Sequence, residues 1–212
     1  MKKTIVVFSA LAISCATVKA QNVSFGIKAG IQQNNLSLKS KQDGEWGRQQ
    51  ISGVGFHVGG LADISLSKQF SVQPQLLFNS KSVVMTSQSK LNLYAIDVPV
   101  NVLYKTGGFF AGIGPNLSYG LSAKSKTDGQ DATNLYTKED AEGGGQESQF
   151  KRFEVGANAT LGYKFNNGLL LSANYMQGLS NISGYNADHQ KYNTRFVGLS
   201  VGYMLCGKAS HL

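Results

Sequence analysis

The sequence predicts an all-β fold: an eight-stranded antiparallel up-and-down transmembrane β-barrel of the outer-membrane type. Three observations predict it. Apolar residues recur with period two in eight segments, aromatic residues gather near the segment ends, and the connections alternate between short and long. Period two marks strands whose two faces meet different surroundings.

The chain opens Met1-Lys2-Lys3, runs through an apolar stretch from Ile5 to Ile13 and reaches Val18-Lys19-Ala20 before Gln21. A basic start, a short apolar middle and small residues before the cut predict a signal peptide over 1–20, cleaved between Ala20 and Gln21. The stretch is too short, and too interrupted by Ser9 and Ser14, to cross a bilayer as a helix. Ala12-Ile13-Ser14-Cys15 loosely resembles a lipoprotein box that would lipidate Cys15, but Ala12 stands where a branched residue is usual. With the later cut only Cys206 remains, which excludes an internal disulfide. The formal charge of +8 falls to +5 once Lys2, Lys3 and Lys19 leave. The remaining cations are scattered, so the sequence carries no nucleic-acid footprint. Residues 21–212 suit a single domain.

The strands follow in order. In the first segment Val23, Phe25, Ile27, Ala29 and Ile31 oppose Ser24, Gly26, Lys28 and Gly30. The second sets Val54, Phe56, Val58, Gly60, Ala62 and Ile64 against Gly55, His57, Gly59, Leu61 and Asp63. The third sets Phe70, Val72, Pro74, Leu76 and Phe78 against Ser71, Gln73, Gln75, Leu77 and Asn79. The fourth sets Tyr94, Ile96, Val98, Val100, Val102 and Tyr104 against Ala95, Asp97, Pro99, Asn101 and Leu103. The fifth sets Phe109, Ala111, Ile113, Pro115, Leu117 and Tyr119 against Phe110, Gly112, Gly114, Asn116 and Ser118. The sixth sets Phe153, Val155, Ala157, Ala159, Leu161 and Tyr163 against Glu154, Gly156, Asn158, Thr160 and Gly162. The seventh sets Leu169, Leu171, Ala173, Tyr175 and Leu179 against Leu170, Ser172, Asn174 and Met176, with Gln177 a polar intruder on the apolar set. The eighth sets Val197, Leu199, Val201, Tyr203 and Leu205 against Phe196, Gly198, Ser200, Gly202 and Met204. No apolar set contains a charge.

A secreted lipocalin-like barrel that binds a ligand inside would show the same period with its apolar side turned inward. The aromatics favour a membrane. Tyr94 and Tyr104 stand near the two ends of one segment. At about 3.3 Å per residue and a tilt near 40° their separation corresponds to roughly 25 Å along the barrel axis, the height of a lipid-facing band. Tyr119, Phe153, Phe78 and Phe56 are assigned to one level with Tyr94, and Tyr163, Phe165, Phe109, Phe70 and Tyr203 to the other with Tyr104, as two interfacial belts. Ser65 to Gln69, Lys105-Thr106-Gly107 and Asn166-Asn167-Gly168 are tight turns, the last two with Gly for positive φ. Long loops are expected near 37–50, 82–90, 122–149 and 181–192. Short periplasmic turns and longer external loops put both mature termini in the periplasm.

The opposing face is enclosed in a barrel too narrow for an open channel. It supplies the candidate interior polar residues Lys28, His57, Asp63, Asp97, Asn101, Asn116, Glu154 and Asn158, the charged members of which are expected to pair with one another. Pro74, Pro99 and Pro115 have no N–H for the ladder, so each is expected at a bulge or a strand end.

Four stretches, Phe25-Gly26-Ile27-Lys28-Ala29-Gly30, Ala95-Ile96-Asp97-Val98-Pro99-Val100, Phe110-Ala111-Gly112-Ile113-Gly114-Pro115 and the run from Gly168 to Leu179, resemble the repeated signatures of the PorT-like outer-membrane β-barrel family. The resemblance extends over nearly all of the chain after Ala20. It implies a small porin-like barrel in the outer membrane of a Gram-negative cell, with a Pro in the fourth strand and no shared catalytic set. The chain departs from outer-membrane barrels that end on an aromatic residue, because a tail from Met204 to Leu212 follows Tyr203.

Chemistry is sparse. A lipid-modifying enzyme would need a nucleophile and base in reach near the membrane boundary. His57 with Ser52 and Asp63, and His189 beside Asp188, make no recognisable spacing. Asp128, Asp131, Glu139, Asp140 and Glu142 enrich one loop in carboxylates without the ligand order of a calcium loop. No cofactor or metal is expected. Trp46, beside Glu45 and Arg48, is a candidate anchor for a partner or for the outer leaflet. The sequence therefore predicts a non-enzymatic integral barrel whose partners are outer-membrane lipid and, through its loops, other surface or envelope molecules.

Overall fold

The computed structural model describes residues 23–42, 45–86, 89–127, 133–134, 151–183 and 190–205. Its strands are β1 (Val23–Gln42), β2 (Glu45–Ser65), β3 (Phe70–Thr86), β4 (Ser89–Thr106), β5 (Phe109–Thr127), the two-residue β6 (Thr133–Asn134), β7 (Phe153–Lys164), β8 (Leu169–Gly178) and β9 (Gln190–Leu205). Successive wall strands pair antiparallel, β5 with β7 across the short β6, and β1 pairs with β9, so the sheet closes into a barrel. Eight strands make the wall. β6 only extends the sheet from Lys124 and Ser125 of β5.

The alternation sorts as expected. In β1 Phe25 and Ile31 are 61% and 66% exposed, whereas Lys28 and Gln32 are 4% and 2% exposed. The same parity runs through the other wall strands, with the apolar set outward and the Gly, amide and hydroxyl set inward. A soluble ligand-binding barrel would have the reverse polarity. Three tight turns close one end, where Gly107, Gly108 and Gly168 take φ of 55°, 88° and 89°. A side chain there would strain the left-handed backbone. Val23 and Leu205 lie at this turn end, on either side of the same stretch of wall.

Strand pairing at the opposite, loop end goes further than the alternation suggested. β1 and β2 remain paired out to Gln42 and Glu45. β3 and β4 remain paired out to Thr86 and Ser89. The stretches 37–50 and 82–90, expected as loops, are thus largely hairpin. No sustained hydrophobic period marks these ribbon ends in the sequence.

The prolines correct another expectation. At each of them the ladder pauses for two residues and resumes in the same register. Pro74 pairs with Val100, and the next pair is Leu77 with Asp97. Pro99 pairs with Asn116, and the next is Val102 with Ile113. Pro115 keeps its place opposite Ala157. The missing N–H removes bonds locally, but the strands on either side hold the register. The irregularities lie elsewhere, between Val84 and Thr86 and between Tyr94 and Ala95.

Two apolar layers cross the interior. Leu61, Leu103, Phe110, Leu170 and Met204 pack together near the turn end. Leu36, Ile51, Leu93, Ala123 and Ile182 pack together near the loop end, with Leu38 and Tyr192 against them. Between them the interior is mainly polar, with Leu77, Met176 and Phe196 also buried there.

Candidate functional site

All eight polar residues assigned to the interior are buried there: Lys28, His57, Asp63, Asp97, Asn101, Asn116, Glu154 and Asn158. Their partners differ from the expected ones, because the charged members do not pair with one another. Lys28 Nζ donates to Asn174 Oδ1 at 2.8 Å and to Gln75 Oε1 at 3.3 Å. Asp97 Oδ2 accepts from Asn79 Nδ2 at 2.8 Å and stands 4.0 Å from Lys81 Nζ. Glu154 Oε1 accepts from the Thr194 hydroxyl at 2.6 Å. Asp63 binds Lys105 Nζ with both oxygens, at 2.6 and 2.7 Å. For Lys28, Asp97 and Glu154 the closest groups are amides and hydroxyls reached across the interior or from the next strand, and they satisfy a charge at little entropic cost.

Lys81 and Lys105 were not singled out in the sequence. Lys81 was legible, since it continues the inward parity of Asn79 by one step. Among these described groups three cations, Lys28, Lys81 and Lys105, stand against three anions, Asp63, Asp97 and Glu154. Matched numbers reduce the cost of burying charge.

The middle of the interior holds a directional relay. Lys28 donates to Asn174 Oδ1, and Asn174 Nδ2 donates to Ser200 Oγ at 2.8 Å. Gln32 Oε1 lies 2.9 Å from His57 Nδ1 and can only accept, so Nδ1 carries the proton and Nε2 accepts from the Ser200 hydroxyl at 2.7 Å. Gln32 Nε2 then donates to Asn34 Oδ1 at 2.9 Å. Bonds aligned in this way polarise one another. The cavity beside His57 measures about 10 Å³, room for about one water. Ser200 and His57 are close enough for a nucleophile and base, but the cavity beside them has room for about one water and not for a substrate.

The other sequence candidates do not converge. Ser52 lies on the outer wall, where its hydroxyl donates to Asn35 Oδ1 at 2.7 Å, and Asp63 belongs to the turn end. Ala20, Gln21, Cys15, Cys206, His189, Asp188 and the carboxylates Asp128, Asp131, Glu139, Asp140 and Glu142 lie outside the described residues. Trp46 pairs with Lys41 by register, but its side chain is outside the description.

The aromatics stand on the outward face at two levels. Phe78 contacts Phe56 and stacks on Tyr94, with ring centroids 6.4 and 5.9 Å apart. Tyr119 and Phe153 are register partners on the same side of the band. Towards the turns, Phe70 meets Tyr104 edge-on at 5.4 Å and Tyr163 touches Phe109 and Phe165 at 4.7 and 4.9 Å. Tyr203 pairs with Leu169 at the same end. A wall with an apolar waist and aromatic edges, closed around a polar core that meets most of its hydrogen bonds internally while leaving Asn34 Nδ2, Ser71 Oγ, Asn79 Oδ1, Asp97 Oδ1 and Asn101 Nδ2 without a protein partner, is a geometry suited to hydrocarbon. Residues 19–184, more than half of the chain, match the family model for the outer membrane protein beta-barrel domain.

The chain belongs to the outer-membrane β-barrel family.

As an outer-membrane barrel it turns its apolar band to lipid. Solved structures similar to it include Neisserial surface protein A, with a TM-score of 0.48 and 12% identity over 82% of this chain and 96% of that one. The outer membrane protein OprG of Pseudomonas aeruginosa is similar at a TM-score of 0.45 and 11% identity, over 88% of this chain and 98% of that one. The attachment invasion locus protein Ail of Yersinia pestis is similar at 0.38 and 12% identity, over 84% and 98%. No curated protein sequence matches the chain.

Among the described residues a larger recess lies at each end of this outer-membrane barrel. A cavity of about 610 Å³ at the turn end is lined by Leu103, Phe110, Leu170 and Met204 together with Lys68, Lys105, Lys164 and Asp63. A smaller groove of about 240 Å³ lies at the loop end, lined by residues of outward parity including Asn35, Lys39, Gln177 and Arg195.

Proposed function

We propose that this outer-membrane barrel is a non-enzymatic, PorT-like protein that presents its loop end outside the cell, keeps both termini in the periplasm after loss of residues 1–20, and contacts other surface or envelope molecules through its loops. The observation that carries the reading is the filled interior. Among the described residues two apolar layers lie on either side of a polar core whose cavity beside His57 has room for about one water, which supports a barrel without a bulk channel and without access for substrate. The chemistry that remains accessible is on the rims.

Orientation is tested by labelling whole cells with a membrane-impermeant maleimide. Gln49→Cys in a Cys206→Ser background should label, whereas the parent, with Cys206 after the last strand, should not. The reverse pattern would overturn the orientation. In planar bilayers the purified protein should show no large stable openings, and their appearance would remove the filled-core argument. His57→Ala should leave lipid composition in purified membranes unchanged. A lost lipid A or phospholipid modification would instead make the protein an enzyme.

A further inference from the structure

The outward face changes character at the loop end, and it does so unevenly around the barrel. Over β2 to β7 aromatics stand near the loop-end margin of the band, namely Phe56, Phe78, Tyr94, Tyr119 and Phe153, with exposed Val54 and Leu121 one step beyond Phe56 and Tyr119. Over β1, β9 and β8 the band ends in amides and cations. Outward residues on β9 run Tyr203, Val201, Leu199, Val197 and then Arg195, which pairs with Asn35 of β1 and Gln177 of β8. Lys39 follows two steps beyond Ser37, paired with Lys191. Tyr175, whose hydroxyl donates to Gln177 Oε1 at 3.0 Å, marks the boundary.

These residues are not flat on the wall. β8 stops at Gly178 while β1 and β9 continue, and the notch so formed is the groove of about 240 Å³. Arg195 and Lys39 line it beside the amides of Gln177 and Asn193, and Leu179 at its edge is 65% exposed. Cations, carboxamides and an apolar lip directly above a lipid-facing band match the three parts of one kind of molecule. A guanidinium and an ammonium hold a phosphate, amides pair with hydroxyls, and Leu179 with Val197 below covers the start of an acyl chain.

We propose that the notch between β8 and β1 is a binding site for the phosphate of an acylated glycolipid in the leaflet around the loop end, with Arg195 and Lys39 as its anion ligands. The site rests on the outward orientation of the loop end proposed above. It would anchor the barrel at a fixed depth and give it a preferred face towards its lipid neighbours.

The test uses the full-length protein in phosphatidylethanolamine vesicles containing either bisphosphorylated lipid A or the same lipid without phosphate. Lipid retained after gentle extraction is counted by native mass spectrometry. The parent should retain the phosphorylated form about tenfold over the phosphate-free one, the ratio equivalent to a single charge-assisted hydrogen bond. Lys39→Gln with Arg195→Gln should bring the two to parity, Arg195→Lys should keep most of the preference, and Lys105→Gln at the turn end should leave it intact. Parity in the parent, or a double glutamine variant that still discriminates, would overturn the site. Displacement by inorganic phosphate at the same concentration as lipid A would overturn the lipid and leave a soluble-anion site. The maleimide result reads orientation separately, so an externally labelled barrel without phosphate preference removes only this proposal.

Discussion

The two rims of the barrel are built from the same pattern by different means. At the turn end three short connections, with Gly107, Gly108 and Gly168 at positive φ, hold the strands at a set register, and the layer of Leu61, Leu103, Phe110, Leu170 and Met204 forms where the strands converge. At the loop end the strands run past the apolar band as hairpins, and the layer of Leu36, Ile51, Leu93, Ala123 and Ile182 draws its members from those extensions and from the segment after β8. The first rim depends on local turn chemistry. The second depends on residues far apart in sequence arriving together. A rim made by tight turns should therefore tolerate less change than one made by long ribbons.

The largest expected effect tests the layers directly. Leu103→Ala, at a side chain 1% exposed, should cost about 2–5 kcal/mol in urea unfolding from detergent micelles. Leu93→Ala at the loop end should fall below it, and an equal or larger loss would erase the contrast. Next comes the outer wall between the rims. Val201→Arg, in the middle of the apolar band, should cost about 2–4 kcal/mol in lipid, whereas Asn35→Arg at the loop-end margin should cost about 0–1 kcal/mol. Folded fractions read from heat-modifiable gel mobility would separate them, and comparable losses would mean that the band extends past Asn35. At the turns, Gly168→Ala should cost about 1–3 kcal/mol through its left-handed backbone, measured by the same unfolding series. Smallest is Asp63→Asn. The Lys105 side chain is 30% exposed, so loss of this pair should cost at most about 1 kcal/mol, and less in high salt. A salt-independent loss of several kcal/mol would show that the turn-end cavity is drier than its lining suggests.

The eight strands, their parity and the short turns were legible because each depends on residues next to one another in the chain. Leu61, Leu103, Phe110, Leu170 and Met204 were visible on the inward parity, but nothing in their own segments says that they share one level. Lys81 was within reach of the same count of two. Lys105, two steps beyond Leu103, obeys the same count but was assigned to a turn, whereas it lies in β4 opposite Phe110. The hairpin extensions were hidden for a related reason: their sequences carry no sustained hydrophobic period. The three prolines misled because a missing donor was equated with a broken register, whereas the flanking strands hold Val100 and Asn116 in place.

By itself the sequence determined the wall: how many strands cross, which face is apolar and where the tight turns fall. These follow from side chains alternating along an extended backbone and from the φ that only glycine adopts freely. The tertiary structure alone decided who meets whom inside. The relay from Lys28 through Asn174, Ser200 and His57 to Gln32, the balance of three cations against three anions, the two apolar layers and the notch beside β8 all depend on how far each strand is staggered against the next. Stagger is a property of the closed sheet, and no single strand contains it.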